Sequence, residues 1–399
     1  MKSEEPPFKS PVPPHLKPFV VDQHYDAYTP VDHAVWRFVC RQNCQSLEGR
    51  AYDSYLRYFT DVGMSLEAIP NITEMDQRLQ EYGWGTVTVD GFIPPGAFMD
   101  FQAHGLLPIA QDIRTLAHIN YTPAPDIIHE AAGHAPYIIH PVYGRYVRRI
   151  GELGAKAISN WEEYEVFEAI RLLSLVKEDP GATLEQVHAA DHQLETAIAQ
   201  VTDISEATLI SRLHWWTVEY GLIGDAQHAL IYGAGLLSSM SEGLDCLTDD
   251  VERIPFSLES IQYSFDITRP QPQLFVIERF EQLFETLERF ADSMAFRVGG
   301  TQSLQKALRS RRVCTAEYSS GLQVSGTLTT LELDPAGEAV YFRTTGSTAL
   351  AIGDVELEGH GIDAYPDGML LPVGPARGWE SGMEGATDAQ LEWAGLAVG

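Results

Sequence analysis

Apolar residues recur at helical spacing up to roughly residue 300 and alternate with period two beyond it. From Tyr28-Thr29-Pro30-Val31-Asp32-His33 the pattern turns helical: Pro30 suits a first turn, and Ala34, Val35, Phe38 and Val39 follow on one face. Tyr52 to Phe59 and Met75 to Tyr82 repeat that character, as helices sharing a core. Between Trp84 and Ile93 the chain alternates as a short strand does, and Pro94-Pro95-Gly96 then predicts a loop. Two prolines bias Tyr121 to Asp126 towards an extended segment. Residues 154 to 178 and 182 to 200 are amphipathic, the second opened by Thr183-Leu184-Glu185-Gln186, a capping-box pattern. Residues 205 to 223 carry Glu219, and 273 to 294 place Val276, Phe280, Leu283, Phe284, Leu287, Phe290 and Met294 on one helical face, which reads as core.

The change of period near Gly299-Gly300 sets the domain organisation. After a short basic helix, Lys306 to Arg312, the segments from Thr315, Leu322, Glu338 and Met369 alternate between turns containing Gly and Asp-Pro, as in a small β-barrel or sandwich. The predicted fold class is a mainly α domain over residues 20–300 with a small C-terminal all-β domain over 301–377. Residues 1–19 hold six prolines and several charges, which predicts a flexible arm, and 378–399 are Gly/Glu/Ala-rich, which predicts a loose tail.

Composition narrows the partners. The 399 residues carry 27 basic against 56 acidic side chains, a net charge of −29 that repels nucleic acid and anionic membranes. Cys40, Cys44, Cys246 and Cys314 are too sparse for a disulfide scaffold, so a reducing compartment fits. The first residues have no apolar signal-peptide core, and no run reaches the roughly 18 apolar residues of a membrane span. A soluble cytoplasmic protein is expected.

The chemistry concentrates in Pro125-Asp126-Ile127-Ile128-His129-Glu130-Ala131-Ala132-Gly133-His134, with two imidazoles and two carboxylates among apolar residues. Neutral imidazole is the commonest metal ligand, and a ligating histidine usually donates its other N–H to an outer oxygen, here Asp126 or a backbone carbonyl. The histidines are not the His-Glu-x-x-His pair of zinc proteases: five apart, they diverge by about 140° on an ideal helix. A shared metal needs a distorted turn, such as a π-bulge, which Gly133 permits. The plainer reading is two satisfied core histidines. Leu213-His214-Trp215-Trp216-Thr217-Val218-Glu219-Tyr220-Gly221-Leu222 weighs against it, because Glu219 lies in an aromatic run and Glu is rarely buried unless paired or metal-bound. Two histidines and one carboxylate form the facial triad of non-haem Fe(II) oxygenases.

These stretches, with Tyr121-Thr122-Pro123-x-Pro125-Asp126 and Tyr232-Gly233-Ala234-Gly235-Leu236-Leu237-Ser238-Ser239, resemble the pterin-dependent aromatic amino acid hydroxylases in order over roughly residues 20 to 300. The resemblance implies Fe(II) on His129, His134 and Glu219, and tetrahydrobiopterin as reductant for hydroxylating an aromatic amino acid with O2. It places Arg114 and Thr122 at the substrate carboxylate, Pro125 and Trp215 around the aromatic ring, and Gly235 and Ser238 at the amino acid. Phe92, Phe98 and Glu130 fall at the pterin, under a loop that closes over it. The β-rich tail resembles a longer bacterial branch, so the regulatory domain and tetramerisation helix of vertebrate members are not expected.

Two departures stand out: His214 replaces a common tyrosine, and Trp216 a smaller aromatic. The expected reaction is phenylalanine to tyrosine; the apolar Ile267, near a specificity position, argues against tyrosine as substrate and leaves tryptophan open. A zinc hydrolase using Glu130 as general base is the alternative from another class.

Overall fold

The computed structural model describes residues 11–91, 93–116, 119, 125–178, 181–267, 270–374 and 387–393. The chain divides into two compact units: Met1–Ala157 with Glu162–Ser293, and Ile158–Trp161 with Met294–Gly399.

In the first unit α1 (Pro30–Ser46) starts from a capping box, in which Thr29 caps the Asp32 N–H and the Asp32 carboxylate accepts from the Thr29 N–H at 2.7 Å. Its buried stripe runs through Val35, Trp36, Val39, Cys40, Asn43 and Cys44. Phe38, expected inside, falls off that stripe and is exposed. α2 (Tyr55–Asp61), α3 (Ile72–Gln80), β1 (Gly85–Val89), α4 (Pro95–Ala103) and β2 (Leu106–Ala110) follow, with β1 and β2 paired in parallel. The loop expected at Pro94-Pro95-Gly96 is the start of α4: a first helical turn needs no N–H from proline and suits its fixed φ. The arm expected to be loose over 1–19 is packed where it is described. Leu16 is buried beside Val87, Val89, Phe101 and Leu106, with Val12 and Phe19 partly buried against the same cluster.

A π-helical turn, Ile128–His134, leads into α5 (Ala135–Ile138), α6 (Pro141–Ala155), α7 (Trp161–Glu178), α8 (Leu184–Gln200) and α9 (Glu206–His214). The Thr183–Gln186 capping box forms as expected. A second π-helical turn, Trp215–Glu219, continues α9. β3 (Leu222–Ile223), β4 (Leu230–Ile231), α10 (Ala234–Ser238), α11 (Glu242–Asp245), β5 (Glu252–Pro255), β6 (Gln273–Ile277) and α12 (Glu281–Ala291) complete this unit, the strands forming one sheet in the order β4-β3-β6-β5. The single helix expected over 273–294 is therefore a strand followed by a helix. Leu274, Phe275, Val276 and Ile277 are all buried, as in a strand covered on both faces, and helical spacing begins only with α12.

The second unit holds α13 (Ala295–Val298), α14 (Gly300–Ser310) and the strands β7 (Val313–Glu317), β8 (Leu322–Leu333), β9 (Ala339–Ile352), β10 (Val355–Glu356) and β11 (Leu370–Pro372). Every pairing is antiparallel, in the order β10-β9-β8-β7 with β11 on β9. Val324, Leu328, Phe342, Leu350 and Leu371 form its core with Ala307 of α14, as period-two alternation predicts. The four cysteines are free thiols, and among the described residues no helix is long and apolar enough to cross a membrane.

Candidate active site

The two π-helical turns carry the three candidate ligands. A π turn closes i to i+5, as the Tyr220 N–H does on the Trp215 carbonyl at 2.8 Å, and the wider turn brings His129 and His134 together despite their five-residue spacing. The Nε2 atoms of His129 and His134 are 3.3 Å apart. Glu219 spans both, with Oε2 3.3 Å from His129 Nε2 and Oε1 3.3 Å from His134 Nε2. Three such separations leave room for one cation about 2 Å from each donor, the ordinary length of a metal–nitrogen or metal–oxygen bond. Glu130 also approaches, with His129, Glu130 and His134 offering ligand atoms within 4.8 Å of one another. It reaches His134 Nε2 only at 3.8 Å, so Glu219 completes the tighter set.

A glycine-lined segment couples the turns. A Cβ on Gly133 would lie 2.7 Å from the Ala234 carbonyl oxygen, and one on Gly233 would lie 2.5 Å from the Glu219 carbonyl oxygen. The glycines permit close approach: α10 is wedged between the histidine turn and the glutamate turn, and Gly133, which lies within the distorted turn, also serves this contact. Ser238, at the end of α10, donates its hydroxyl proton to the Ala234 carbonyl at 2.8 Å, leaving Oγ to accept from His129 Nδ1–H at 3.0 Å. With Nδ1–H engaged in this way, Nε2 is the nitrogen turned to the cluster, and it offers a lone pair there once it has lost its proton. The outer oxygen on this ring is thus Ser238, in place of Asp126 or a backbone carbonyl.

Asp126 has other work. It takes Arg114 in a bidentate pair, Nε to Oδ2 and Nη2 to Oδ1 both at 2.8 Å, and accepts the backbone N–H groups of Arg114 and His129 at 3.0 Å. Burial alone would raise the Asp126 carboxyl, but the Arg114 charge and hydrogen bonds outweigh it and hold the pKa below the ordinary value. Burial likewise opposes the charge on Glu219, and His134 and His129 overcome it, holding Glu219 well below its ordinary value. His129 is pushed up to about 9, against the effect of burial, by Glu219. His214 moves the other way, to about 4, because burial disfavours its charged form.

The remaining predicted residues divide. Glu130 is buried, its Oε2 has no hydrogen-bond partner among the described residues, and burial raises its pKa. Phe98 lies edge-on to His134 and His214, with ring centroids 6.3 and 6.0 Å away. Gly235 is buried in α10, Pro125 is exposed at the mouth of the histidine turn, and Thr122 and Phe92 lie outside the described residues. Trp215, placed by the resemblance around the aromatic ring, stacks on Tyr220 at 4.7 Å and on Phe265 at 4.3 Å. Phe265 was not singled out in the sequence, and its position just before Ile267 was the only available cue.

A sequence profile of biopterin-dependent aromatic amino acid hydroxylases matches residues 24–164 and 189–299. This chain belongs to that family. The unmatched stretch between falls in α7 and α8. The phenylalanine-4-hydroxylase of Chromobacterium violaceum is 28% identical over 270 residues, spanning 67% of this chain and 76% of that protein. The enzyme of that name from Ralstonia nicotianae is 30% identical over 274 residues, 68% of this chain and 74% of its own. The crystal structure of the Chromobacterium hydroxylase with bound iron(III) and oxidised 7,8-dihydrobiopterin superposes with a TM-score of 0.54 at 27% identity, covering 69% of this chain and 88% of that one. The iron- and phenylalanine-bound structure of the same hydroxylase gives 0.51 over the same shares.

Proposed function

We propose that this chain is an iron(II)- and tetrahydropterin-dependent monooxygenase that hydroxylates the ring of an aromatic amino acid with O2, converting L-phenylalanine to L-tyrosine. The observation that carries the reading is the convergence of His129, His134 and Glu219 on one point. The donor set fits the facial site of non-haem iron oxygenases, with further positions open. The orphaned Oε2 of Glu130 and the nearby Phe98 ring fit a flat heterocycle that donates N–H hydrogen bonds. When bound, iron and the reduced pterin supply the electrons and the activation of O2 that no side chain provides.

The chain's own residues do the rest. Ser238 keeps His129 in the metal-binding tautomer. Arg114, oriented by Asp126, uses the guanidinium edge left over from that pair to hold the substrate carboxylate, with Thr122 beside it. Pro125, Trp215 and Gly235 enclose the amino acid, and Phe92, Phe98 and Glu130 hold the pterin. Phe265 is added as a ring-contacting residue on its stack with Trp215. Residues 301–377 are proposed as a separate small β-rich domain, on the strength of their own core. Cytoplasmic location is proposed with the rest.

The test is aerobic turnover of Fe(II)-loaded protein with tetrahydropterin and, separately, phenylalanine, tryptophan and tyrosine. Tyrosine should form from phenylalanine only with iron and pterin both present, and His129→Ala should abolish it. Product from tryptophan alone would move the substrate assignment within the family. Tight stoichiometric zinc with pterin-independent hydrolysis would overturn the reading.

A further inference from the structure

Glu219 is approached by three imidazoles. Besides His129 and His134, His214 brings Nδ1 to 3.7 Å from Glu219 Oε1. It is the last residue of α9, directly before the turn that carries Glu219, and only 6% exposed. The separation is too long for a hydrogen bond. Its Nε2 is buried without a partner among the described residues, and Phe98 packs edge-on against the ring. A buried imidazole with neither nitrogen well bonded is uncommon in a settled core.

The carboxylate's needs explain the ring. Without a cation, Glu219 divides its two oxygens between His129 and His134. A bound cation takes the lone pairs of both imidazoles and needs only one carboxylate oxygen. The other then requires a new donor, and among the described Arg, Lys and His side chains the remaining one within 4 Å is His214, through Nδ1.

Resting on the metal-site reading above, we infer that His214 is a positioning residue: its Nδ1–H holds Glu219 Oε1, so that Glu219 meets the metal through Oε2 alone. A carboxylate held by one oxygen leaves one more position open on the metal than a carboxylate bound through both. His214 therefore sets how many positions remain for other ligands, a role tied to the residue in which this chain departs from the tyrosine common at that place.

Cobalt(II) tests this without turnover. The metal-free full chain is titrated by calorimetry, and its d–d absorption recorded, for the wild type, His214→Asn, His214→Gln and His214→Phe, with thermal melts of the metal-free proteins alongside. The Asn amide nitrogen sits about where Nδ1 does, and the Gln amide nitrogen about where Nε2 does. His214→Asn should keep wild-type affinity and spectrum. His214→Gln and His214→Phe should lose roughly 10- to 100-fold in affinity, the range for outer partners of a metal ligand, with an altered band pattern. A wild-type affinity and spectrum in His214→Phe would overturn the inference, as would equal losses in Asn and Gln, or retention by Gln alone. If His214→Phe does not fold, the Asn and Gln pair still decides. A wild type that takes up no cobalt would sink the metal-site reading itself, and this inference with it.

Discussion

Arg114–Asp126 and His129–His134–Glu219 are two buried ionic clusters whose first members lie within one stretch of chain, and they are built in opposite ways. The first is closed: Asp126 accepts two guanidinium bonds and two backbone N–H bonds, all between 2.8 and 3.0 Å. The second is open, with separations of 3.3 Å and, at its edge, orphaned atoms on Glu130 and His214. A buried polar group left short of partners is costly. That the chain tolerates them in one place marks a site waiting for something, whereas the satisfied Arg114–Asp126 pair is framework.

The largest test of that contrast removes Arg114. Arg114→Ala leaves Asp126 buried without its counter-ion, and should destabilise the protein by about 3–5 kcal/mol in a denaturant melt. Replacing the pair together, Arg114→Met with Asp126→Leu, should restore most of the loss, because no charge is stranded. Both variants should raise the KM for phenylalanine where they remain folded, since each removes the proposed carboxylate clamp. A near-neutral Arg114→Ala would make the pair an ornament and break the comparison.

A second test uses pH, where the clusters should respond at opposite ends. Asp126 is held below its ordinary value, so its contribution to stability is present above that value and lost as pH falls through the lowered one. His129 is raised to about 9 in the metal-free chain, so its pairing with Glu219 contributes fully below about 6.5 and is lost as pH rises through about 9. Metal binding must expel that proton. Apparent affinity for a divalent ion should therefore climb about tenfold per pH unit between 7 and 9, with acid released into a weakly buffered solution. A flat profile would mean that His129 is neutral before the metal arrives.

Much of this arrangement was legible in the chain, and the gaps have causes. Glu219 was recognisable because a lone carboxylate in an aromatic run needs a partner, and the five-residue spacing of His129 and His134 already required a distorted turn. The Thr183 cap and the alternating tail followed from local chemistry. Ser238 as the partner of His129 lies 109 residues away, and the stacking of Phe265 on Trp215 is a tertiary contact with no local signature. The strand within 273–294 was hidden because a short all-apolar run fits strand and buried helix alike until its neighbours are known. Leu16 looked loose for the opposite reason: prolines exclude regular structure but not packing.

The smallest expected effect separates both clusters from the surface around them. A net charge of −29 repels itself across the exterior, and salt shortens the reach of that repulsion from about 30 Å at 0.01 M to about 10 Å at 0.1 M. Added sodium chloride should therefore raise the melting temperature modestly. Both clusters are largely out of solvent, with Arg114 and Asp126 side chains 4% and 3% exposed and Glu219 10%. Salt should accordingly leave the Arg114→Ala penalty nearly unchanged. If that penalty instead shrinks in step with the melting gain, the closed pair behaves as a surface ion pair, and its contrast with the open site loses its physical basis.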